Sequence, residues 1–151
     1  MASTAYSKGV LNCLNGGIDL DAASVTKVGL AVTTYVPDPD EAALTTFAAN
    51  EATCTGYTGG FAGAGRKTAS VTLTEQTANN RVVAIIADLT WTALGGAVNN
   101  TLRYAVWLRE ITNDASSVPL AALQFTSDLT TNGSDVLVDF DNVNGNVRYA
   151  V

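Results

Sequence analysis

Short segments in which apolar and polar residues alternate, separated by turn-forming residues, are the feature that most constrains this 151-residue chain. Val28, Leu30 and Val32 alternate with smaller or polar neighbours, which predicts a strand over about 25–36 with one buried face. Further strands are predicted at 70–75, 81–91, 101–111, 119–126 and 135–141, with glycine and asparagine turn signals between them. The pattern predicts an all-β fold, a jelly-roll-like antiparallel β-sandwich, with residues 17–151 as a single domain.

One segment favours a helix instead of a strand. Asp38 is a candidate N-cap, Pro39 suits the first helical position, and Glu41 follows the cap by three residues. Leu44 and Phe47 then fall on one helical face. The sequence therefore predicts one short helix near residues 39–49.

Two strand predictions concern pairing and position in the sheet. Asn144-Gly145 is the strongest hairpin signal in the chain, so the last two strands are expected to pair antiparallel. The 101–111 strand carries large side chains on both faces, including Trp107. It is therefore expected either to be central or to present Trp107 to a partner.

Composition excludes several classes of function. The chain has no histidine and only two cysteines, Cys13 and Cys54, so histidine-dependent catalysis and a four-cysteine zinc site are excluded. Its net charge of −6 argues against binding nucleic acid or an anionic membrane. No cofactor, no metal and no enzymatic activity are therefore expected. The two cysteines are expected to be free thiols.

The charged fraction is only 15%, below the roughly 25% typical of soluble domains. We expect part of the surface to be covered by other subunits. The first residues contain no apolar run of signal-peptide type, and no stretch has the length and apolarity of a membrane span. The protein is therefore expected to remain in the compartment where it is made.

A glycine-rich segment, 54–65, predicts a long loop that makes binding or subunit contacts. It superficially resembles a phosphate-binding loop, but Arg66 stands in the position of the required lysine and a strand follows instead of a helix. Asp139 and Asp141 suit either a cation-binding turn or a solvated strand edge, and paired carboxylates also occur in glycosidases. The sequence leaves those alternatives open.

Aromatic and basic residues outside the regular strands are candidates for contacts with other proteins. We predict that an N-terminal arm, residues 1–16, and the loop 54–66 become ordered on assembly. The predicted interface residues are Tyr6, Tyr57, Phe61, Arg66, Lys67 and Trp107.

Segments spread over nearly the whole chain carry a resemblance to a known family. They are 14–20 (LNGGIDL), 25–30 (VTKVGL), 35–40 (YVPDPD), Glu51, 55–60 (TGYTGG), 80–82 (NRV), 87–91 (ADLTW) and 103–106 (RYAV). In order and spacing they resemble a family of small virion structural proteins of tailed bacteriophages. The resemblance supplies no catalytic residue.

The resemblance implies a β-rich protein of the virion, and among such proteins a capsid decoration or cement protein is the favoured assignment. The expected partner is the major capsid protein, and the expected assembly is a cyclic homo-oligomer with a trimer favoured. The protein would be made in the host cytoplasm and lie on the capsid surface. A tail or fibre component that attaches to the host is the alternative, and a hydrolase of host glycans is a third class.

Overall fold

The computed structural model describes residues 2–20, 22, 26–141 and 147–150. The described residues form ten strands, two short α-helices and a 3₁₀ turn, Thr77–Asn79. The strands are β1 (Ala2–Ala5), β2 (Lys27–Val32), β3 (Lys67–Thr68), β4 (Val71–Gln76), β5 (Arg81–Ile86), β6 (Leu89–Leu94), β7 (Thr101–Arg109), β8 (Val118–Thr130), β9 (Ser134–Val138) and β10 (Val147–Ala150). The helices are α1 (Ser7–Leu14) and α2 (Thr45–Ala49).

All of the strand pairings are antiparallel, and they form three sheets. A five-stranded sheet has the order β1-β8-β7-β2-β3, a three-stranded sheet has the order β10-β5-β4, and β6 pairs with β9. The predicted fold class, an all-β sandwich-like architecture with a short helix near 39–49, is confirmed.

Both faces of the five-stranded sheet are buried. On one face, Trp107 and Leu30 pack against residues of the two smaller sheets, including Ile86 and Trp91. On the other face, a second apolar cluster packs around Phe47 of α2. This second layer explains why the central strands carry apolar residues on both sides.

Strand β7 lies in the middle of the five-stranded sheet, as one of the two sequence alternatives requires. Trp107 is fully buried, and its Nε1 donates a hydrogen bond to Thr26 Oγ1 at 2.9 Å. The alternative in which Trp107 faces a partner is therefore wrong. The register shifts between Leu102 and Tyr104, so Leu102 packs in the same cluster as Trp107 despite the odd sequence separation.

Helix α2 is present but begins at Thr45, later than the sequence predicts. Asp38 Oδ1 accepts a hydrogen bond from the backbone N–H of Asp40, so the expected cap forms a local turn. Glu41 Oε1 instead accepts from the N–H of Thr46 at 2.8 Å and thereby satisfies the first turn of the helix.

The N-terminal segment is part of the fold and not a free arm, which corrects that expectation. Residues 2–5 pair with 121–124 of β8, and α1 follows directly. Tyr6 is fully buried, and its hydroxyl hydrogen-bonds that of Tyr35. A methyl group added at Gly9 would lie 2.5 Å from the carbonyl oxygen of Pro119, so glycine permits α1 to approach β8 closely.

Two strand predictions need correction. The predicted strand 81–91 is two strands in different sheets, since the chain leaves β5 at Ala87 and starts β6 at Leu89. The expected pairing of the last two strands is also wrong, because β9 pairs with β6 while β10 pairs with β5. The Asn144-Gly145 turn itself lies outside the described residues.

Candidate functional site: the anchored glycine-rich loop

The glycine-rich segment forms an irregular but tightly packed loop between Glu51 and β3. Gly60 has a φ of +81°, a conformation that glycine adopts without strain. At Gly63 an added methyl group would lie 2.3 Å from the carbonyl oxygen of Thr58, so the chain folds back on itself there. The loop is thus closely packed against its own backbone at Gly63.

A buried ion pair between Glu51 and Arg66 joins the two ends of the loop. Arg66 donates from Nε to Glu51 Oε1 at 2.9 Å and from Nη2 to Oε2 at 2.7 Å, a bidentate arrangement. The side chain of Arg66 is 0% exposed and that of Glu51 is 4% exposed. Glu51 Oε2 also accepts from the N–H of Gly60 at 2.8 Å, which ties the middle of the loop to the same carboxylate.

A second set of ionic contacts connects the loop to the segment after β7. Arg66 Nη1 lies 3.1 Å from Glu110 Oε1 and 2.5 Å from Asp114 Oδ1. The N–H of Ala62 donates to Glu110 Oε1 at 3.0 Å, and Lys27 Nζ lies 2.6 Å from Glu110 Oε2. The loop, the post-β7 segment and strand β2 are therefore held together by one network.

These contacts shift the pKa values of two of the charged groups, Arg66 and Glu110. Burial alone would lower the pKa of the Arg66 guanidinium, but its hydrogen bonds to Glu51 and Asp114 outweigh burial and raise it. For Glu110, burial would raise the pKa, but hydrogen bonds from Lys27, the Ala62 N–H and Arg66 hold it below its ordinary value. Both shifts favour the charged forms of Arg66 and Glu110.

Tyr57 anchors the loop to the central sheet. Its hydroxyl donates to Glu51 Oε1 at 2.8 Å and accepts from the backbone N–H of Leu30 at 3.0 Å. Burial, followed by the nearby Glu51 charge, raises the pKa of Tyr57 well above its ordinary value. The phenol therefore stays a neutral donor to the carboxylate.

The loop and the segment after β7 each expose an apolar side chain, Phe61 and Ile111, and we call these two residues the contact face. Phe61 is 41% exposed and Ile111 is 51% exposed. Each is adjacent in sequence to a partner of the hydrogen bond between Ala62 and Glu110, so the network brings their two segments side by side. The contact face presents apolar surface from backbone that is already fixed.

The predicted interface residues have different positions in the structure. Phe61 is exposed, whereas Tyr6, Tyr57, Arg66 and Trp107 are buried within the chain, so their side chains do not form an outer surface. Lys67 is half-buried, with Nζ 5.8 Å from the centre of the Trp91 ring. The burial of Tyr6, Tyr57, Arg66 and Trp107 corrects their predicted role as interface residues, because their polar atoms form hydrogen bonds within the same chain.

Sequence reasoning missed the three carboxylates that bind Arg66. Glu51, Glu110 and Asp114 lie 15, 44 and 48 residues from Arg66, respectively. No local spacing rule connects groups so far apart. The available signal was a lone arginine in a glycine-rich segment of a chain with few charges, since such an arginine requires a carboxylate partner when it is buried.

The network is suited to holding backbone in place. Within the described ranges, no group of three or more Cys, Asp or Glu side chains has a geometry that could hold a metal ion. Arg66 makes four hydrogen bonds to carboxylates, so its guanidinium is occupied by acidic groups of the same chain. Cys13 and Cys54 are free thiols, as predicted. Asp139 and Asp141 are exposed after β9, and 142–146 are not among the described residues.

Comparison with known proteins gives no family assignment. No family model matches the chain, and neither a curated protein nor a solved structure matches it. In the described part of the chain, no helix has the length and apolarity needed to cross a membrane.

Proposed function

We propose that the protein is a structural component of a bacteriophage virion that decorates the capsid and binds the major capsid protein lattice. The resemblance of segments along the chain to small phage virion proteins supplies the class. The structural observation that supports a binding role is the contact face, where exposed apolar side chains sit on a buried ionic network. In this proposal the protein acts by binding and not by catalysis.

Rigid apolar surface is well suited to binding a repeated lattice. A loop that is already ordered loses less conformational entropy on binding than a flexible loop. Phe61 and Ile111 would bury apolar area against the capsid, while Arg66 and Glu51 keep the backbone beneath them fixed. Neither Phe61 nor Ile111 is charged, so burying these two side chains requires no desolvation of a charged group of their own.

Co-sedimentation with capsids that lack the protein tests this proposal. We expect Phe61→Ser and Ile111→Ser to reduce occupancy on capsids with little change in the thermal unfolding midpoint, because both side chains are exposed. Val98→Ser is the matched control, since Val98 is an exposed apolar residue, 55% accessible, outside the contact face. Equal occupancy for all three variants would refute the contact face as the capsid-binding surface.

Direct imaging of the particle distinguishes head from tail. A cryo-microscopy map of the virion should show the protein on the capsid, as a homo-oligomer for which a trimer is favoured. Density for the protein at the tail or fibres would instead support the alternative role in host attachment. That result would overturn capsid decoration while leaving the assignment as a virion protein intact.

A further inference from the structure

Strand β4 is an edge strand with unusual exposure. It is hydrogen-bonded to β5 on one side, and no described strand pairs with its other side. Thr72, Leu73, Thr74 and Glu75 are all exposed, although they alternate between the two faces of the sheet. This part of the hairpin therefore extends away from the core with both faces and one edge accessible.

The outward backbone groups of β4 can be identified from its pairing with β5. Val71 is opposite Ile86, and the N–H of Ala87 donates to the carbonyl oxygen of Ser70 at 2.9 Å. In an antiparallel ladder, this bond makes the pair of Val71 with Ile86 a non-hydrogen-bonded pair. The N–H and C=O groups of Val71, Leu73 and Glu75 consequently point away from β5.

These outward groups are self-complementary about Leu73. If a two-fold axis passes beside Leu73, an antiparallel copy of β4 places Leu73 opposite Leu73 and Val71 opposite Glu75. Each of the three residues then exchanges both of its backbone hydrogen bonds with the second strand. Glu75 faces the apolar Val71 of the copy and not another carboxylate, so the register brings no like charges together.

The side chains fit the same register. On the outer face, Thr72 would lie opposite Thr74 of the copy, a favourable cross-strand pair. On the inner face, Leu73 borders a groove of about 190 Å³ that is lined mainly by apolar residues of α1 and the following segment, including Leu14, which is 77% exposed. The strand edge is thus continuous with apolar surface that a second subunit would cover.

Apart from the charge of Glu75, which faces Val71 in the proposed register, the edge of β4 lacks the features that usually block such pairing. Edge strands are commonly protected by shortness, bulges, proline or lysine. β3 has only two residues, and the register of β6 against β9 shifts between Trp91 and Leu94. By contrast, β4 has six residues in regular register with β5 and contains neither proline nor lysine.

We propose that β4 is a subunit interface, in which two copies of this chain pair their β4 strands antiparallel about a two-fold axis at Leu73. The pairing joins two three-stranded sheets into one continuous sheet. A two-fold contact gives a dimer of the isolated protein, or joins two trimers if the proposed cyclic trimer also forms. The contact is independent of capsid binding.

Charge variants at Thr72 and Thr74 test the register, because these exposed residues are opposite each other across the two-fold axis. Thr72→Glu/Thr74→Glu and Thr72→Lys/Thr74→Lys place like charges in opposition and should each weaken association by about ten-fold or more. Thr72→Lys/Thr74→Glu places opposite charges together, so its association should equal or exceed that of the unmodified chain. The measurement is the molar mass by light scattering and sedimentation, up to about 1 mM.

A proline variant tests the hydrogen bonds separately. The N–H of Leu73 points away from β5, so Leu73→Pro removes an intermolecular donor while keeping the β4–β5 ladder. It should yield a monomer whose far-ultraviolet circular dichroism matches that of the unmodified protein. If Leu73→Pro unfolds, its circular dichroism spectrum will differ from that of the unmodified protein. The charge variants alone then decide whether β4 is the interface.

Two results would overturn the proposal. One is an unmodified protein that remains monomeric over the whole concentration range. The other is an oligomer whose mass is unchanged in both like-charge variants, which would place the contact elsewhere. Because capsids are absent from these measurements, failure of the proposed capsid decoration leaves their outcome unaffected.

Discussion

Replacement of Arg66 by methionine should destabilise the fold strongly. Methionine keeps an unbranched apolar chain but removes the charge that compensates Glu51, whose side chain is only 4% exposed. Leaving a buried carboxylate without its partner costs about 3–5 kcal/mol. For a domain of this size, that corresponds to a fall of about 6–20 °C in the unfolding midpoint.

Urea and thermal unfolding, followed by circular dichroism and tryptophan fluorescence, measure this effect. Trp91 is a local reporter, because its Nε1 donates to the carbonyl oxygen of Gly65 at 2.6 Å. Arg103→Met is the matched control, since Arg103 forms an equally bidentate pair with Asp128 at an exposed site. Solvent screening should leave that variant close to the unmodified protein.

The double variant Glu51→Gln/Arg66→Met distinguishes loss of the ion pair from the cost of leaving the Glu51 carboxylate buried without a partner. It removes the carboxylate charge together with the guanidinium, so it should be more stable than Arg66→Met alone. A loss below about 1 kcal/mol for Arg66→Met, equal to the change seen on the surface, would refute the reasoning, because it would mean that Glu51 is effectively solvated.

Three further predictions concern titration and packing. Because the pKa of Glu110 is lowered from its ordinary value of 4.5, the ionised carboxylate stabilises the fold above pH 4.5, and this contribution is lost as the pH falls through the lowered pKa. The urea concentration at the unfolding midpoint should therefore decrease when the pH is lowered below about 4.5, and it should decrease less steeply in Glu110→Gln. Burial raises the pKa of Tyr6 from 10.0 to about 12, so the neutral phenol stabilises the fold below pH 10 and this contribution is lost as the pH rises towards 12. Ultraviolet titration should show ionisation of Tyr6 only near or with unfolding. Ionisation of this phenol in the folded protein at pH 10 would contradict its burial. Gly29→Ala places a methyl group 2.6 Å from Phe47 Cζ and should cost about 1–3 kcal/mol by thermal unfolding, partly relieved by Phe47→Leu; an unchanged midpoint would show that the ring moves freely.

The local part of the fold could be predicted from sequence because it depends on periodicity. The alternation around Val28 and Leu30 predicted β2, although both faces of β2 are buried and not the single face expected. The bulk on both sides of 101–111 left two alternatives open, and the central strand is the one that the sheet shows. Asn80 is one of the asparagine turn signals, between the predicted strands 70–75 and 81–91, and it takes a left-handed conformation with φ at 47°. These features are determined by neighbours a few residues apart.

Helix α1 could not be predicted from its own residues. It contains Gly9 and Asn12, which disfavour helices, and Tyr6 at its N-cap makes no side-chain cap hydrogen bond. Its position against β8 depends on the close approach at Gly9. Tertiary packing, and not local propensity, therefore stabilises this helix.

Long-range pairings were likewise beyond sequence patterns. A hairpin signal at Asn144-Gly145 favoured pairing of neighbouring strands, but the open edge of β5 accepts β10 instead. The carboxylates around Arg66 come from segments that are adjacent only after β2 and β7 pair. A single sequence gives the residue types for such contacts but not their partners.

The low charged fraction of the chain and the buried network are connected. Arg66 and Lys27 form ion pairs with carboxylates of the same chain. These ion pairs hold the loop in place, and the described residues contain neither a disulfide nor a metal-binding cluster there. If the contact face binds the capsid, Phe61→Ser removes contact area and should change binding without changing stability. Arg66→Met retains the Phe61 side chain but loosens the loop that carries it. The loop must then be ordered on binding, so binding and stability should fall together. The two variants thus separate the surface that makes the contact from the network that holds it in place.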